Sequence, residues 1–322
     1  MIATIIPTDV AGIISEQLDS PIEDVVAIQR TTTCKLYHAT WQTHEGPLPI
    51  VIRFYQGTRC EEAARVEAAA LRSLLNAGYP VPELYLAEAD SHIAGAPFIV
   101  MQRLPGRTLS EIATEEPDSI PYWIDQASSL MLRLHTAQWQ DGFDFFHPAM
   151  GVLEFAERQV KWWSIQAHKA GAQEAKAGFD WLKSNVYRAR ECSQQVLVHR
   201  NFHANNLLSD GQHITGVLDW GELAIADPAV DVAWSRMVLE TEVSQQVGDN
   251  FNDSYQRRHP EVVATQPFWE VFSACKRLTS IAIQQRTTDE IEADDAQAPR
   301  QPQPTTNEAL QAFMHKRLVD EE

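Results

Sequence analysis

Residues 196–208 read VLVHRNFHANNLL, and residues 214–221 read ITGVLDWG. Each begins or ends in apolar residues of strand type, and between them lie His199, Arg200, Asn201, His203, Asn205 and Asn206. NNLLSD and HITGVLDW read as two short strands joined at Asp210-Gly211, a dipeptide that favours tight hairpin turns. A polar loop entering a hairpin whose far side ends on Asp219 can set side chains at a site, so the surrounding chain decides the fold.

Upstream, residues 8–18, TDVAGIISEQL, read as an amphipathic helix with Thr8 as N-cap and Val10, Ile13, Ile14 and Leu18 on one face. DVVAIQ, KLYHATWQT and PIVIRFY carry the Val, Ile, Tyr, Phe and Thr of strands, with EGPLP as the turn between the second and third. CEEAARVEAAALRSLLNA, residues 60–77, predicts a helix with Val66, Ala70, Leu71, Leu74 and Leu75 as its stripe and Gly78 as its stop. ELYLAEA and APFIVMQRL add two strands, and Pro105-Gly106 ends the pattern.

Helical segments dominate thereafter: PYWIDQASSLMLRLHTAQ, GVLEFAERQVKWWSIQAHKAG, KAGFDWLKSNVYRAREC, PAVDVAWSRMVLET and QPFWEVFSACKRLTSIAIQQ, with the hairpin as the exception. The fold class is α+β: an N-terminal lobe of antiparallel sheet with one main helix (1–103), then a larger, mostly helical lobe (104–287). Residues 288–322 are expected to be a mobile, apolar-poor linker followed by a final helix, NEALQAFMHKRLVDEE.

The 322 residues are 44% hydrophobic, enough for two packed cores. No apolar run approaches the ~20 residues of a membrane span, and MIATIIPTDVAGIISEQL lacks the pattern of a signal peptide. A cytoplasmic protein with no membrane partner is the expectation. Cys34, Cys60, Cys192 and Cys275 form no close pair, which argues against a zinc site or disulfide framework. The formal charge of −18 argues against a nucleic-acid partner and permits a cationic ligand; it also serves solubility alone.

On this scaffold the hairpin lets Asn206 and Asp219 point from opposite ends toward one spot between the lobes. Two oxygen ligands there suit Mg²⁺, which takes a few protein oxygens beside phosphate oxygens and water. Kinase-type phosphoryl transfer needs that arrangement.

With these residues in view, the chain resembles the aminoglycoside phosphotransferase and choline kinase family, whose fold is protein-kinase-like and bilobal. That family's catalytic loop reads His-Gly-Asp, four residues, then Asn, followed by a strand ending in Asp-Trp or similar. Here His199, Arg200, Asn201, then Phe202 to Asn205, then Asn206, and later Asp219-Trp220-Gly221, keep the spacing. ADPAVDVAW, with Asp227, Pro228 and Asp231, resembles the continuation in which the second Asp braces the catalytic loop. PFIVMQRLPGRTL resembles the hinge and MLRLHTAQ the helix before the catalytic region, so the likeness covers roughly residues 20 to 285.

The resemblance implies ATP or GTP and Mg²⁺ as cofactors and a hydroxyl of a small molecule as acceptor. Arg53 falls at the strand position of a phosphate-binding Lys and Glu67 at its helical ion-pair partner; a solvated helix carboxylate is the other reading of Glu67. Gln102 and Arg103 lie where hinge backbone holds the base, and Asn206 and Asp219 where the metal is held. His199 and Asp231 support the loop. QRTTTCK stands at the phosphate-cradling loop, yet contains no glycine; Thr31, Thr32 and Thr33 either cradle phosphate with hydroxyls and amides or form an ordinary polar turn. His203 reads as structural rather than as a substitute base. Trp162, Trp163 and Trp181 read as core or cleft wall rather than as stackers on a cationic substrate.

The departure is Asn201, where the family has the Asp that orients the acceptor hydroxyl and takes its proton. An amide keeps the shape and the hydrogen bond but lacks useful basicity. A general base is worth typically ~10²–10⁴-fold, while positioning and metal-centred electrostatics supply most of the rest. Three accounts stay open: a non-catalytic pseudokinase that binds nucleotide or a small molecule, a deliberate substitution that traps substrate, or the family role met in another way.

Overall fold

The computed structural model describes residues 7–30, 34–90, 94–139, 150–292 and 307–320. They fall into two compact units. The first comprises Met1–Gly106 with the returning segments Leu208–Asp210 and Thr215–Glu222; the second comprises Arg107–Leu207, Gly211–Ile214 and Leu223–Glu322.

In the first unit, β1 (Ile22–Arg30), β2 (Cys34–Thr43), β3 (Gly46–Tyr55), β4 (Leu84–Glu88) and β5 (Phe98–Gln102) form one antiparallel sheet in the order β1-β2-β3-β5-β4. The turn expected over EGPLP is tighter: Thr43 pairs with Gly46, whose φ of 123° suits glycine, so His44-Glu45 alone reverse the chain. Pro47 and Pro49 sit inside β3, and β5 joins only from Ile50, so the prolines occupy the stretch with one strand neighbour. One face of the sheet is packed with Tyr37, Ile50, Ile52, Phe54, Phe98 and Val100, against which α1 (Pro7–Leu18) sets Val10 and Ile14. Thr8 is not the N-cap: α1 begins at Pro7, whose fixed φ and missing N–H suit a first turn.

The α2 helix (Cys60–Asn76) ends as its glycine predicts. Gly78, at φ 70°, donates to Leu75 O and Tyr79 N donates to Leu74 O, the paired bonds of a Schellman stop. Its buried face differs from the expected stripe: Ala64, Glu67, Ala68, Ala70, Leu71 and Leu74 are covered, while Leu75 is 40% exposed. A carboxylate therefore occupies the packed face, where the apolar pattern placed only hydrocarbon.

The second unit is built on helices: α3 (Leu109–Glu115), α4 (Ile120–His135), α5 (Val152–Ala170), α6 (Lys176–Asn185), α7 (Ala229–Glu242), α8 (Gln245–Gln256), α9 (Gln266–Glu292) and α10 (Asn307–Asp320). Two of them, α3 and α8, go beyond the sequence reading. Thr108 and Glu111 form a capping box at the start of α3, and Ser244 caps α8. Phe268, Trp269, Val271, Phe272, Ala274, Cys275, Leu278 and Ile281 are all buried on α9, so this helix is apolar on several sides and forms the unit's centre. It runs to Glu292, into the stretch expected to be mobile; residues 293–306 lie outside the described set. The final helix docks through Leu310, Phe313, Met314 and Arg317.

β6 (Arg107–Thr108) precedes α3, and β7 (Val196–Val198) pairs antiparallel with β10 (Ala224–Ala226). The hairpin strands are β8 (Leu207–Ser209) and β9 (Ile214–Val217). Their connection is longer than the expected two-residue turn, running Asp210–His213 with Gly211 at φ 95°. Tyr122 Oη and Gln126 Nε2 of α4 donate to Gln212 O, and Ile214 N donates to Gln126 Oε1, so the extra residues are held by side chains. All four cysteines are free thiols, Cys34 and Cys275 buried, the other two half-buried. Among the described residues no helix is long and apolar enough to cross a membrane.

Candidate active site

In the first unit, three charged residues from distant parts of the chain meet. Arg53, on β3, places Nη1 3.1 Å from Glu67 Oε2 of α2 and Nη2 2.6 Å from Asp219 Oδ1 at the end of the hairpin strand. The Glu67 carboxylate also accepts from Tyr55 Oη and, at 3.3 Å, from Trp220 N. Trp220 is fully buried, stands edge-on to Tyr79, and donates its indole N–H to Val217 O at 2.9 Å. The alternation along β3, the buried face of α2 and the returning segment thus converge on one carboxylate.

The electrostatics follow from burial. The Arg53 guanidinium is held charged: burial opposes its charge, but Glu67 and then Asp219 outweigh it and raise its pKa well above the ordinary value. Burial pushes the Glu67 carboxyl up against the pull of Arg53. The guanidinium fork reaches two carboxylates at once, which an ammonium does less well. Asp219 sits at φ 69°, a left-handed conformation that costs a non-glycine residue on the order of 1–2 kcal/mol, and the Arg53 bond helps to offset it.

At the end of β5, the backbone amides of Gln102 and Arg103 are already used: Gln102 N donates to Glu83 O at 2.8 Å and Arg103 N to Pro49 O at 3.1 Å. Among the described residues, the amide left without a partner in this stretch is that of Leu104. A base lying here would therefore take its amide hydrogen bond from Leu104, a residue the sequence reading spanned but did not single out. Gly106 follows at φ 119°, and a Cβ there would stand 2.6 Å from Ser209 O, so this position requires glycine.

The loop 199–206 belongs to the second unit. β7 delivers His199, and its partner β10 leads through Asp227-Pro228 into α7, whose first turn carries Asp231. The Asp231 carboxylate, fully buried, accepts from His199 N at 2.7 Å and Arg200 N at 2.5 Å. His135 Nε2 lies 3.1 Å from Asp231 Oδ2, and His135 Nδ1 bonds Tyr255 Oη at 2.5 Å. Burial pushes Asp231 up, but the bond and charge of His135 more than offset it and hold the carboxyl below its usual range.

The rest of the loop is pinned through its backbone. Asn201 N donates to His199 Nδ1 at 3.1 Å, Ser235 Oγ to Phe202 O at 2.7 Å, and Asn206 N to His203 O at 2.8 Å. Asn205 N donates to His203 Nδ1 at 3.3 Å, so this imidazole is engaged within the loop. Asn206 Nδ2 donates to Asn201 O at 2.9 Å, which orients the amide. Arg200 takes φ 68°, in the left-handed region that favours glycine.

An amide oxygen on Asn206 and a carboxylate on Asp219 are hard donors that fit Mg²⁺. Among the described residues no group of three or more His, Cys, Asp or Glu could hold a metal. Thr31, Thr32 and Thr33 lie outside the described residues. Of the tryptophans, Trp162 is 36% exposed, Trp181 packs with Phe268 and Arg188, and Trp163 faces Lys276. His135, Tyr255 and Lys276 escaped the sequence reading, since their partners lie 96, 120 and 76 residues away along the chain.

A strand cation, a helix carboxylate and a hairpin-end carboxylate beside an antiparallel sheet, with an Asp-braced His-x-Asn loop in a helical unit, define a kinase-like phosphotransferase fold. The chain belongs to the phosphotransferase enzyme family, whose model matches residues 36–265. It is 28% identical over 177 residues to acyl-CoA dehydrogenase family member 10 of Mus musculus, a match covering 52% of this chain and only 16% of that relative. Hygromycin-B 4-O-kinase of Escherichia coli is 24% identical over 223 residues, 64% of this chain and 61% of the relative. The solved aminoglycoside phosphotransferase APH(4)-Ia shares the fold with a TM-score of 0.63 at 17% identity, over 98% of this chain and 99% of that one. A thermostable mutant of that protein is solved as a ternary complex with ADP and hygromycin B.

Proposed function

We propose that this protein binds ATP or GTP with Mg²⁺ and transfers the γ-phosphoryl group to a hydroxyl of a small molecule, slowly because Asn201 replaces the base. The observation that carries the reading is the Arg53–Glu67–Asp219 cluster, three residues of the type and order that phosphate and metal binding require, drawn together around a buried Glu67. Arg53 contacts phosphate while Glu67 fixes its fork. The hinge backbone ending at Leu104 holds the base. Asp219 and Asn206 would each offer an oxygen to Mg²⁺, which would supply charge neutralisation at the phosphates. Asn201 orients the acceptor hydroxyl by a hydrogen bond; as its oxygen bonds the γ-phosphorus and the nucleoside diphosphate leaves, the hydroxyl proton passes to solvent or to an oxygen of the transferred phosphoryl group rather than to a carboxylate.

The named activities of relatives make amino sugars the first acceptors to test, and the formal charge of −18 agrees with a cationic one. The second reading is a non-catalytic binding protein, and the observation that favours it is Asn201 itself. A γ-phosphate transfer assay separates them, run with Mg-ATP and Mg-GTP on amino-sugar and amino-alcohol acceptors, for the protein and for Asn201→Asp. Transfer by the parent, raised ~10²–10⁴-fold in Asn201→Asp, is the expected result. Nucleotide binding without transfer in either form would establish the second reading.

A further inference from the structure

Lys276 lies on α9 with only 6% of its surface exposed. Its ammonium stands 4.7 Å from the ring centre of Trp234 and 5.5 Å from that of Trp163, and donates to Arg200 O at 3.1 Å. A lysine is seldom buried so far, and here it is aimed at the peptide group joining Arg200 to Asn201. On the other side of Arg200, its N–H and that of His199 are taken by Asp231. Both peptide groups flanking Arg200 are therefore tied to buried charges of opposite sign, from two different helices.

That clamp falls on a residue in the left-handed region, φ 68°, which favours glycine. The guanidinium adds a bond to Gln159 Oε1 at 2.5 Å and lies over Phe155, but those contacts fix the side chain, not the turn. We infer that Lys276 is a positioning residue: with Asp231 it forces Arg200 into the left-handed turn that sets the direction of Asn201. The inference rests on the reading of residues 199–206 as the catalytic loop, while its structural half stands on the geometry alone. The faces of the two tryptophans attract the ammonium as well.

The test is a double-mutant cycle on the full chain between Lys276→Met and Arg200→Gly, with Lys276→Arg as the conservative variant. Methionine fills the slot between the tryptophans but cannot donate, and glycine turns left-handed without help. Hydrogen exchange of the 196–208 segment is the first readout. Lys276→Met is expected to raise exchange there about tenfold, Lys276→Arg to change it little, and Lys276→Met/Arg200→Gly to restore protection. The second readout, in an Asn201→Asp background, is transfer kinetics: kcat falls about tenfold in Lys276→Met with nucleotide KM unchanged, and recovers with Arg200→Gly.

Unchanged exchange in Lys276→Met, or effects that simply add in the double variant, would overturn the inference. If no variant transfers phosphate, the phosphotransferase reading fails, and the exchange arm still decides whether Lys276 shapes the loop. If exchange couples as described while kcat does not respond, the loop is clamped but the clamp has no part in transfer, and the positioning role is refuted.

Discussion

Arg53 and Asp231 show what single residues contribute. Arg53 spans Glu67 and Asp219 with separate nitrogens, and Arg53→Lys keeps the charge but gives up the fork. We expect Arg53→Lys to lower the melting temperature and Arg53→Met to lower it more, by an amount equivalent to about 3–5 kcal/mol, because the buried Glu67 loses its cation. Thermal unfolding at neutral pH measures both. Asp231 predicts an acid response: its folded pKa is held below the ordinary value, so its stabilisation is full above the unfolded pKa of about 4 and fades as pH falls through the folded one. Urea titrations at descending pH should show this loss in the parent. In Asp231→Asn the curve starts lower and falls less steeply over the same range.

The loop itself was legible because its chemistry is local: His199, Asn201 and Asn206 are spaced within one short segment, and Asp219 follows from the hairpin. Glu67 was legible only through resemblance, since helical periodicity alone put Leu75 on the buried face and left Glu67 in solvent as the other reading. His135, Tyr255 and Lys276 carry no local mark at all. A buried polar side chain looks like a surface one until the partner from another helix is known.

Among the elements, α10 has the clearest energetic signature. Arg317 is 5% exposed; its Nε lies 2.8 Å from Glu270 Oε2 and its Nη2 2.7 Å from Glu240 Oε2, while Glu270 Oε1 and Asp249 Oδ1 together hold Arg236. Arg317→Ala takes this cation from Glu240 and leaves Glu270 with Arg236 alone, and a loss of about 3–5 kcal/mol is expected, measured by denaturant unfolding. Arg317→Ala together with Glu240→Gln should recover part of it, which a simple loss of helix packing would not allow. The helix was predicted from its composition, whereas this network was not: its partners come from α7, α8 and α9. The same holds for turn lengths, where His44-Glu45 proved shorter and Asp210–His213 longer than their signals, because pairing register and contacts from α4 decide them.

For the whole molecule, the first unit is not a contiguous stretch. Residues 208–210 and 215–222 return to it and supply Asp219 and the fully buried Trp220. A fragment ending at Gly106 lacks both, and takes from Arg53, Glu67 and Tyr79 the partners that these residues supply. It should not fold cooperatively, as circular dichroism and thermal melting would register; a fragment that melts like the intact unit would contradict the assignment. A cut at the Pro105-Gly106 break is what the sequence suggests on its own, since the later return is a tertiary fact.

The most direct measurement is calorimetric titration of the intact protein with Mg-ATP and Mg-GTP, alongside Asp219→Ala with its melting temperature recorded. The account predicts saturable, Mg²⁺-dependent binding of at least one nucleotide by the parent and its loss in a folded Asp219→Ala. A parent that binds neither nucleotide, or an Asp219→Ala protein that binds as the parent does, would contradict it.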